Sequence, residues 1–131
     1  MGMNFRVLLI FLLMPVLRAE LPPSAYESMQ AKAPEYLKIE VLRVGVEPGE
    51  SPTRHDVHVV ALTTEVLRTA SGLKPNEIVN IFYTVTDHPQ GWVGPGEVPI
   101  PNEKERRVAY LIKTEGGDFA PAAGRMSFTN F

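Results

Sequence analysis

The stretch "EYLKIEVLRVGVEP", residues 35–48, constrains the fold most, because its alternation of apolar residues changes phase midway. From Leu37 to Val41 the apolar side chains occupy odd positions, as in a half-buried strand. From Leu42 to Val46 they occupy even positions. A change of phase inside one strand indicates a β-bulge, which bends the strand. Gly45 follows the change at a point where bending is easy, so we predict a long, strongly bent first strand.

Apolar alternation and turn residues divide the rest of the chain into one short helix and four more strands. Ser24 to Pro34 has the pattern of a helix, because Ser24 can cap it and Glu27 stands three residues later. The strands are separated by segments rich in glycine and proline, which are typical of turns and loops. The predicted later strands are residues 55–70, 77–85, 107–113 and 125–131, and the predicted loops are 47–54, 71–77, 87–106 and 114–124.

One helix and about five strands with a bent first strand predict a mainly β fold. We predict a five-stranded OB-like antiparallel barrel with one short N-terminal helix, because a long coiled first strand helps such a barrel to close. A small β-sandwich is the alternative. A doubly wound parallel sheet is disfavoured because the chain has no helices between its strands.

The first nineteen residues have the pattern of a secretory signal peptide. Arg6 precedes the continuous apolar run of residues 7–17, and the small Ala19 stands at the predicted cleavage point. The run is shorter than the roughly 20 residues that a transmembrane helix needs. We therefore expect residues 20–131 to form a single secreted or periplasmic domain, without stable membrane insertion after cleavage. An uncleaved N-terminal anchor is the alternative.

Composition and charge exclude several classes of function. Removing Arg6 and Arg18 leaves eleven basic residues against fifteen acidic ones, a net charge of about −4. This balance argues against nucleic acid and against anionic membrane surfaces as partners. The chain has no cysteine, so neither a lipid anchor on a lipobox cysteine nor a disulfide framework is possible, and apolar burial must supply the stability.

The three histidines are the only metal-ligand candidates. His55 and His58 are three residues apart, so on a strand they point to opposite faces and chelate together only if His55 lies in the preceding loop. His88 stands far from both in the sequence, beside Asp87, and Asp56 lies between the first two. We predict no metal and no cofactor, and these histidines remain the alternative site.

Motifs for catalysis and for phosphate binding are missing from the sequence. No Gly-x-Ser-x-Gly elbow is present, and neither Ser71 nor Ser127 has an evident base partner. Three glycines in residues 91–96 are followed by no helix and no lysine-serine pair, so they do not form a phosphate-binding loop.

The segment "DHPQGWVGPGEVPIPNE", residues 87–103, is the strongest candidate for a binding surface. It holds Trp92, the only tryptophan, among glycines and prolines that define the backbone shape. Trp92 either folds inward and plugs one barrel mouth, against Phe119, Pro121 and Tyr110, or presents a stacking face to a sugar, a peptide or a partner protein. The predicted ligand-binding residues are Trp92, Gly91, Val93, Pro95, Phe119 and Pro121.

Four short motifs resemble a group of small secreted bacterial proteins of unknown function. They are "PPSAY" at 22–26, "GLKP" at 72–75, "GWVGP" at 91–95 and "PAAGRMSF" at 121–128. The resemblance implies export but no known activity. The barrel is similar to the netrin-like and metalloproteinase-inhibitor barrel, whose inhibitors reach a zinc ion with an N-terminal cysteine. Because this chain has no cysteine, that mechanism is not implied here.

The sequence therefore predicts an exported, non-catalytic binding module. Its unknown protein or glycan ligand would contact the loop at 87–106 and the loop at 114–124. A metal-binding protein or hydrolase that uses the histidines and nearby acids is one alternative. A structural subunit of an envelope assembly is another.

Overall fold

A computed structural model describes residues 20–92 and 96–131. The predicted signal peptide, residues 1–19, lies outside the described residues. No helix in the described part of the chain is long and apolar enough to cross a membrane. The elements in chain order are α1 (Pro23–Lys32), β1 (Glu35–Pro48), β2 (Arg54–Thr69), β3 (Ile78–Thr86), β4 (Arg106–Lys113), β5 (Phe119–Pro121), a 3-10 turn (Gly124–Met126) and β6 (Phe128–Thr129).

Five strands close into a barrel in the order β1-β2-β3-β5-β4, and pairing of β1 with β4 completes the ring. The short β6 also pairs with β4. The predicted mainly β fold, with a five-stranded barrel compatible with the OB-like class and one short N-terminal helix, is confirmed. Closure excludes an open sandwich. The barrel is mixed rather than wholly antiparallel, because β5 runs parallel to β3 where Phe119 pairs with Ile81.

The predicted bulge in β1 is present. The register with β2 changes between Val41 and Arg43, which leaves Leu42 as the extra residue on β1. Before the bulge the odd residues point into the barrel, and after it Val44 packs against the core. Leu42 and Val46 are instead 44% and 49% exposed, so only one of the three residues in the shifted phase contributes to the core. The bulge thus turns the end of β1 away from the barrel.

Alternate residues of the strands form one continuous hydrophobic core. Side chains of β2 at Val57, Val59 and Ala61 face those of β3 at Val79 and Ile81, because the two strands pair in register along their whole shared length. Burying branched aliphatic side chains is the main source of stability in a chain without disulfides. The other buried core residues are Leu37, Ile39, Val41, Val85, Ala109, Leu111, Phe119 and Phe128.

The helix α1 begins at Pro23 rather than at Ser24, and Pro22 occupies the cap position without a side-chain hydrogen bond. The predicted capping box, with Ser24 as the cap, is therefore wrong. Pro23 starts the helix instead, because the fixed φ angle of proline suits the first helical position. The helix packs through the buried Tyr26 and through Gln30, whose Nε2 donates to the Met126 carbonyl at 2.9 Å. α1 therefore lies against the C-terminal segment.

The C-terminal segment differs from the predicted strand at residues 125–131. Part of the predicted loop at 114–124 is the strand β5, and residues 124–126 form a 3-10 turn that begins at Gly124 with a φ of 53°. Only Phe128 and Thr129 are in strand conformation. A proline at the end of β5 made this segment resemble a loop, but Pro121 pairs opposite Leu111 at the edge of a three-residue strand.

Candidate binding surface on the connection between β3 and β4

The second half of the connection, residues 96–105, packs against the barrel. Val98 packs against the hydrophobic core, and Pro101 is buried. The Tyr83 hydroxyl donates a hydrogen bond to the Pro99 carbonyl at 2.8 Å. Burial raises the pKa of the Tyr83 phenol well above its usual range. An apolar part of the connection further along than Trp92 therefore packs against the barrel core.

The last residues of this half are attached to β1. The amide of Val41 donates to the Glu105 carbonyl at 2.8 Å, and the Lys104 amide donates back to the Val41 carbonyl at 2.7 Å. Lys104 adopts a φ of 70°, which makes the tight return possible. The Arg107 guanidinium then binds the Glu105 carboxylate at 2.6 Å, and this hydrogen bonding lowers the pKa of Glu105. The segment thus has a defined path into β4.

The start of this half is held by Glu20, the first described residue. One carboxylate oxygen of Glu20 accepts a hydrogen bond from the Gly96 amide at 3.0 Å. The other accepts from the Tyr26 hydroxyl and lies 3.4 Å from Nε of Arg125, whose guanidinium stands over the Tyr26 ring. The hydrogen bond from Tyr26 is the main reason why the pKa of Glu20 is lowered. This cluster joins α1, the 3-10 turn and the connection.

The first half of the connection, residues 87–92, presents an aromatic surface instead. The Trp92 side chain is 51% exposed, and its ring stacks on that of His88 with centroids 4.2 Å apart and planes 5° from parallel. Nε2 of His88 lies 3.3 Å from the Glu97 carboxylate, within ion-pair range but outside hydrogen-bond geometry. The other Glu97 oxygen accepts from the Thr86 amide at 2.6 Å. We call His88, Trp92 and Glu97 the Trp92 platform.

A turn positions the platform. The Trp92 amide donates to the Pro89 carbonyl at 3.1 Å, and Gly91 adopts a φ of 87° at the third position of this turn. Such a φ is unfavourable for residues with a side chain, so Gly91 serves the turn through its backbone. The interpretation of Trp92 as a buried plug is wrong, because half of its surface remains accessible.

Two of the other predicted ligand-binding residues, Phe119 and Pro121, do not join this surface. Val93 and Pro95 lie outside the described residues. Phe119 is only 5% exposed and belongs to the core, while Pro121 is half-buried and pairs opposite Leu111. Burial removes Phe119 from contact with a ligand at the surface. The sequence signal was misleading because a phenylalanine beside glycines and prolines also suits the start of a short buried strand.

The turn that begins the second predicted binding loop lies far from the connection that carries Trp92. β5 runs parallel to β3 with Phe119 beside Ile81, so the turn at 114–118 lies toward the start of β3. The connection that carries Trp92 leaves from the other end of β3, after Thr86. The start of the predicted loop at 114–124 is therefore remote from this connection, whereas its end at Gly124 adjoins Arg125, which contacts the Glu20 carboxylate that also binds Gly96. The grouping of the two loops into one surface stays a prediction.

The three histidines do not converge. Nε2 of His55 lies 3.0 Å from the Asp87 carboxylate, His58 bonds to Asn80 at 2.9 Å, and His88 belongs to the Trp92 platform. Across residues 20–92 and 96–131, no group of three or more histidine and acidic side chains has the geometry to hold a metal ion. The histidines serve as separate polar and aromatic contacts.

The two serines considered for catalysis have structural partners. The buried Ser127 hydroxyl accepts the Ala123 amide at 2.9 Å, and the Ser71 hydroxyl donates to Glu35 at 2.9 Å. Glu35 is 1% exposed, and its carboxylate also accepts from the Thr69 hydroxyl and the amide at position 70. Sequence reasoning missed this buried acid, although it continues the odd, inward-facing phase of β1. It ties the start of β1 to the end of β2.

Comparison with known proteins adds no assignment: no family model, no curated protein and no solved structure matches the chain.

Proposed function

We propose that this protein is an exported, non-catalytic binding module whose contact surface is the Trp92 platform. The observation that carries the proposal is the half-exposed Trp92 ring, held parallel to His88 on a connection whose other half is packed into the barrel. Export rests on the basic head, the apolar run at 7–17 and the small residue at position 19.

The geometry favours binding because the platform is organised before a partner arrives. Large aromatic side chains supply much of the contact energy in protein interfaces, and their flat faces also stack on sugar rings. Here the turn at 89–92 limits the backbone conformations of Trp92, and the contact with Glu97 limits those of the His88 ring on which Trp92 stacks. A preorganised anchor loses less conformational entropy on binding, which increases affinity. The partner class is a protein or a glycan.

We keep the resemblance to small secreted bacterial proteins and to the netrin-like barrel as part of this proposal. The closed five-stranded barrel with an N-terminal helix is compatible with it. No residue of the inhibitor mechanism is carried over, because that mechanism depends on cysteine.

The test compares two exposed apolar residues of the same connection. Wild-type protein, Trp92→Ala and the control Ile100→Ala, whose side chain is 39% exposed on the packed half, are immobilised and exposed to native envelope extract and to a glycan array. We expect Trp92→Ala to keep its circular dichroism spectrum and lose the bound protein or glycan, while Ile100→Ala retains it. Equal binding by all three would refute the platform as the contact surface.

A further inference from the structure

A second surface, unrelated to the Trp92 platform, lies on the outer face of β1, β2 and β3. Gly45, His58 and Phe82 are direct neighbours across the three strands. The His58 ring stacks on Phe82 with centroids 4.2 Å apart, while Gly45 contributes no side chain. The result is a recess of about 320 Å³, lined on its far side by Glu47 and Asp56. We call it the Gly45 recess.

The aromatic wall of the recess is fixed in place. Nε2 of His58 bonds to the Asn80 side chain at 2.9 Å, which orients the imidazole against Phe82. Phe82 is 46% exposed, a large apolar surface for a residue in the middle of a strand. A second depression of about 430 Å³ shares Asp56 and Phe82 and continues along β3 to Thr84. The exposed Phe82 face thus borders both depressions.

The glycine at position 45 keeps the recess open at a cost to the strand. Glycine inside a strand is unfavourable compared with residues that have a side chain. A Cβ atom at Gly45 would meet nothing within 4 Å, and the backbone there has no left-handed conformation that would require glycine. Neither a close contact nor a left-handed φ requires glycine here, and the missing side chain leaves space that a ligand can occupy.

The charges beside the recess indicate what kind of ligand fits. Glu47 and Asp56 stand directly opposite each other on β1 and β2, with Thr84 next to Asp56 on β3. Like charges at directly opposite positions destabilise a strand pair. Neither carboxylate has a salt bridge to any residue that the structure describes. A cation bound here would relieve the repulsion.

We propose that the Gly45 recess binds an extended organic cation, an alkylammonium or alkylguanidinium group. The cationic head would lie between Glu47 and Asp56, and its hydrocarbon stem would cross Gly45 against the face of Phe82. Aromatic faces favour cations as well as apolar stems. Arg43 lies on the same face of β1 as Gly45 and Glu47, on the opposite side of Gly45 from Glu47. Its positive charge repels the cationic head, which is thereby directed toward Glu47 and Asp56. Among the described residues no third histidine or acidic side chain joins these two carboxylates, which suits an organic cation better than a metal ion.

Free polyamines and protein side chains share this chemistry, so the experiment has two arms. The purified protein, labelled with ¹⁵N, is titrated with 1,5-diaminopentane in one arm and with a short lysine- and arginine-containing peptide in the other. Sodium chloride at matched ionic strength is the blank. We expect saturable amide shifts at Gly45, Asp56, His58 and Phe82. Tighter binding of the diamine indicates a free polyamine, and tighter binding of the peptide indicates a protein ligand.

Three variants separate a specific site from general charge attraction. Gly45→Val fills the recess, and Asp56→Asn removes one charge at nearly constant shape. Glu115→Gln is the control, because it makes the same change in net charge at an exposed position on the β4–β5 turn at the other end of the barrel. We expect the first two to weaken binding about tenfold or more, since a charge-assisted contact or its space is lost. The control should stay within about twofold of the wild type.

Several outcomes overturn the proposal. One is the absence of saturable shifts at the recess in both arms. Another is an equal loss of affinity in Glu115→Gln and Asp56→Asn, which would mean general attraction to a negative protein. Calcium that produces the same shifts at lower concentration than either organic probe would indicate a metal site instead. We expect Gly45→Val to fold, because valine favours strands. If Gly45→Val does not fold, the binding affinities of Asp56→Asn and Glu115→Gln still distinguish a specific site from general charge attraction.

Discussion

The connection between β3 and β4 and the segment 114–124 that follows β4 both combine glycine and proline with an aromatic residue, but they differ in the structure. The first leaves the barrel after Thr86, exposes Trp92 and then packs Val98 against the core. The second begins with a tight turn at 114–118, in which the amide of Thr114 bonds to the Asp118 carbonyl at 2.7 Å, and it leads directly to the buried Phe119.

The difference shows that composition predicts irregular backbone but not accessibility. Phe119 is buried because it begins β5, which pairs with β3 at Ile81. Trp92 is exposed because it lies in the connection after β3 has ended at Thr86. Pairing across the barrel, which depends on residues distant in sequence, therefore decides which aromatic side chain can contact a ligand.

Truncation of Phe119 is expected to have the largest effect. Phe119→Ala should lower the free energy of unfolding by about 3–5 kcal/mol, because it removes a core ring and leaves a cavity. Urea unfolding followed by circular dichroism measures the change, and Phe119→Leu is the milder control. A loss below about 1 kcal/mol would place Phe119 outside the core and restore it as a surface candidate.

Tyr83→Phe should have an intermediate effect, because it removes one of the contacts that hold the packed half of the first connection. Loss of the hydrogen bond to Pro99 should cost about 1 kcal/mol at neutral pH. Burial raises the pKa of Tyr83 above its ordinary value of 10.0. Above pH 10 the phenol is therefore deprotonated in the unfolded chain while it is still protonated in the folded protein. The stabilisation present at neutral pH should therefore be lost as pH rises past about 10. Urea midpoints measured from pH 8 to 11.5 should fall more steeply for the wild type than for Tyr83→Phe. Parallel slopes would contradict the burial of this phenol.

Trp92→Ala should have the smallest effect on stability. A half-exposed ring contributes its stacking on His88 and little core burial, so the expected loss is about 0.5–1 kcal/mol. Circular dichroism must follow the unfolding, because the variant contains no tryptophan. A loss comparable with that of Phe119→Ala would show that Trp92 supports the barrel, and the contrast between the two connections would disappear.

Much of the barrel was predictable from local patterns. The bulge near Leu42 and the four long strands follow from alternation of apolar residues, which depends only on neighbouring positions. The segment from Phe119 to the end was misassigned, because its two short strands are defined by pairing with β4 rather than by their own pattern.

The candidate sites were less predictable. Trp92 was found by composition alone, but its support by His88 and Glu97 depends on a contact across a turn. The Gly45 recess was missed, because its walls come from three strands and only the pairing of Gly45 with His58 and of His58 with Phe82 brings them together.

The closure of the barrel by β1 has a consequence for the speed of folding. β1 pairs with its hairpin neighbour β2 and also with β4, whose residues Arg106 to Leu111 stand far away in the chain. Contacts of large sequence separation slow folding, since loop entropy is lost before they form. Until β4 arrives, one edge of the first half of β1 stays unpaired and open to other chains. This interval before β4 pairs is the stage of folding at which the chain is most exposed to aggregation.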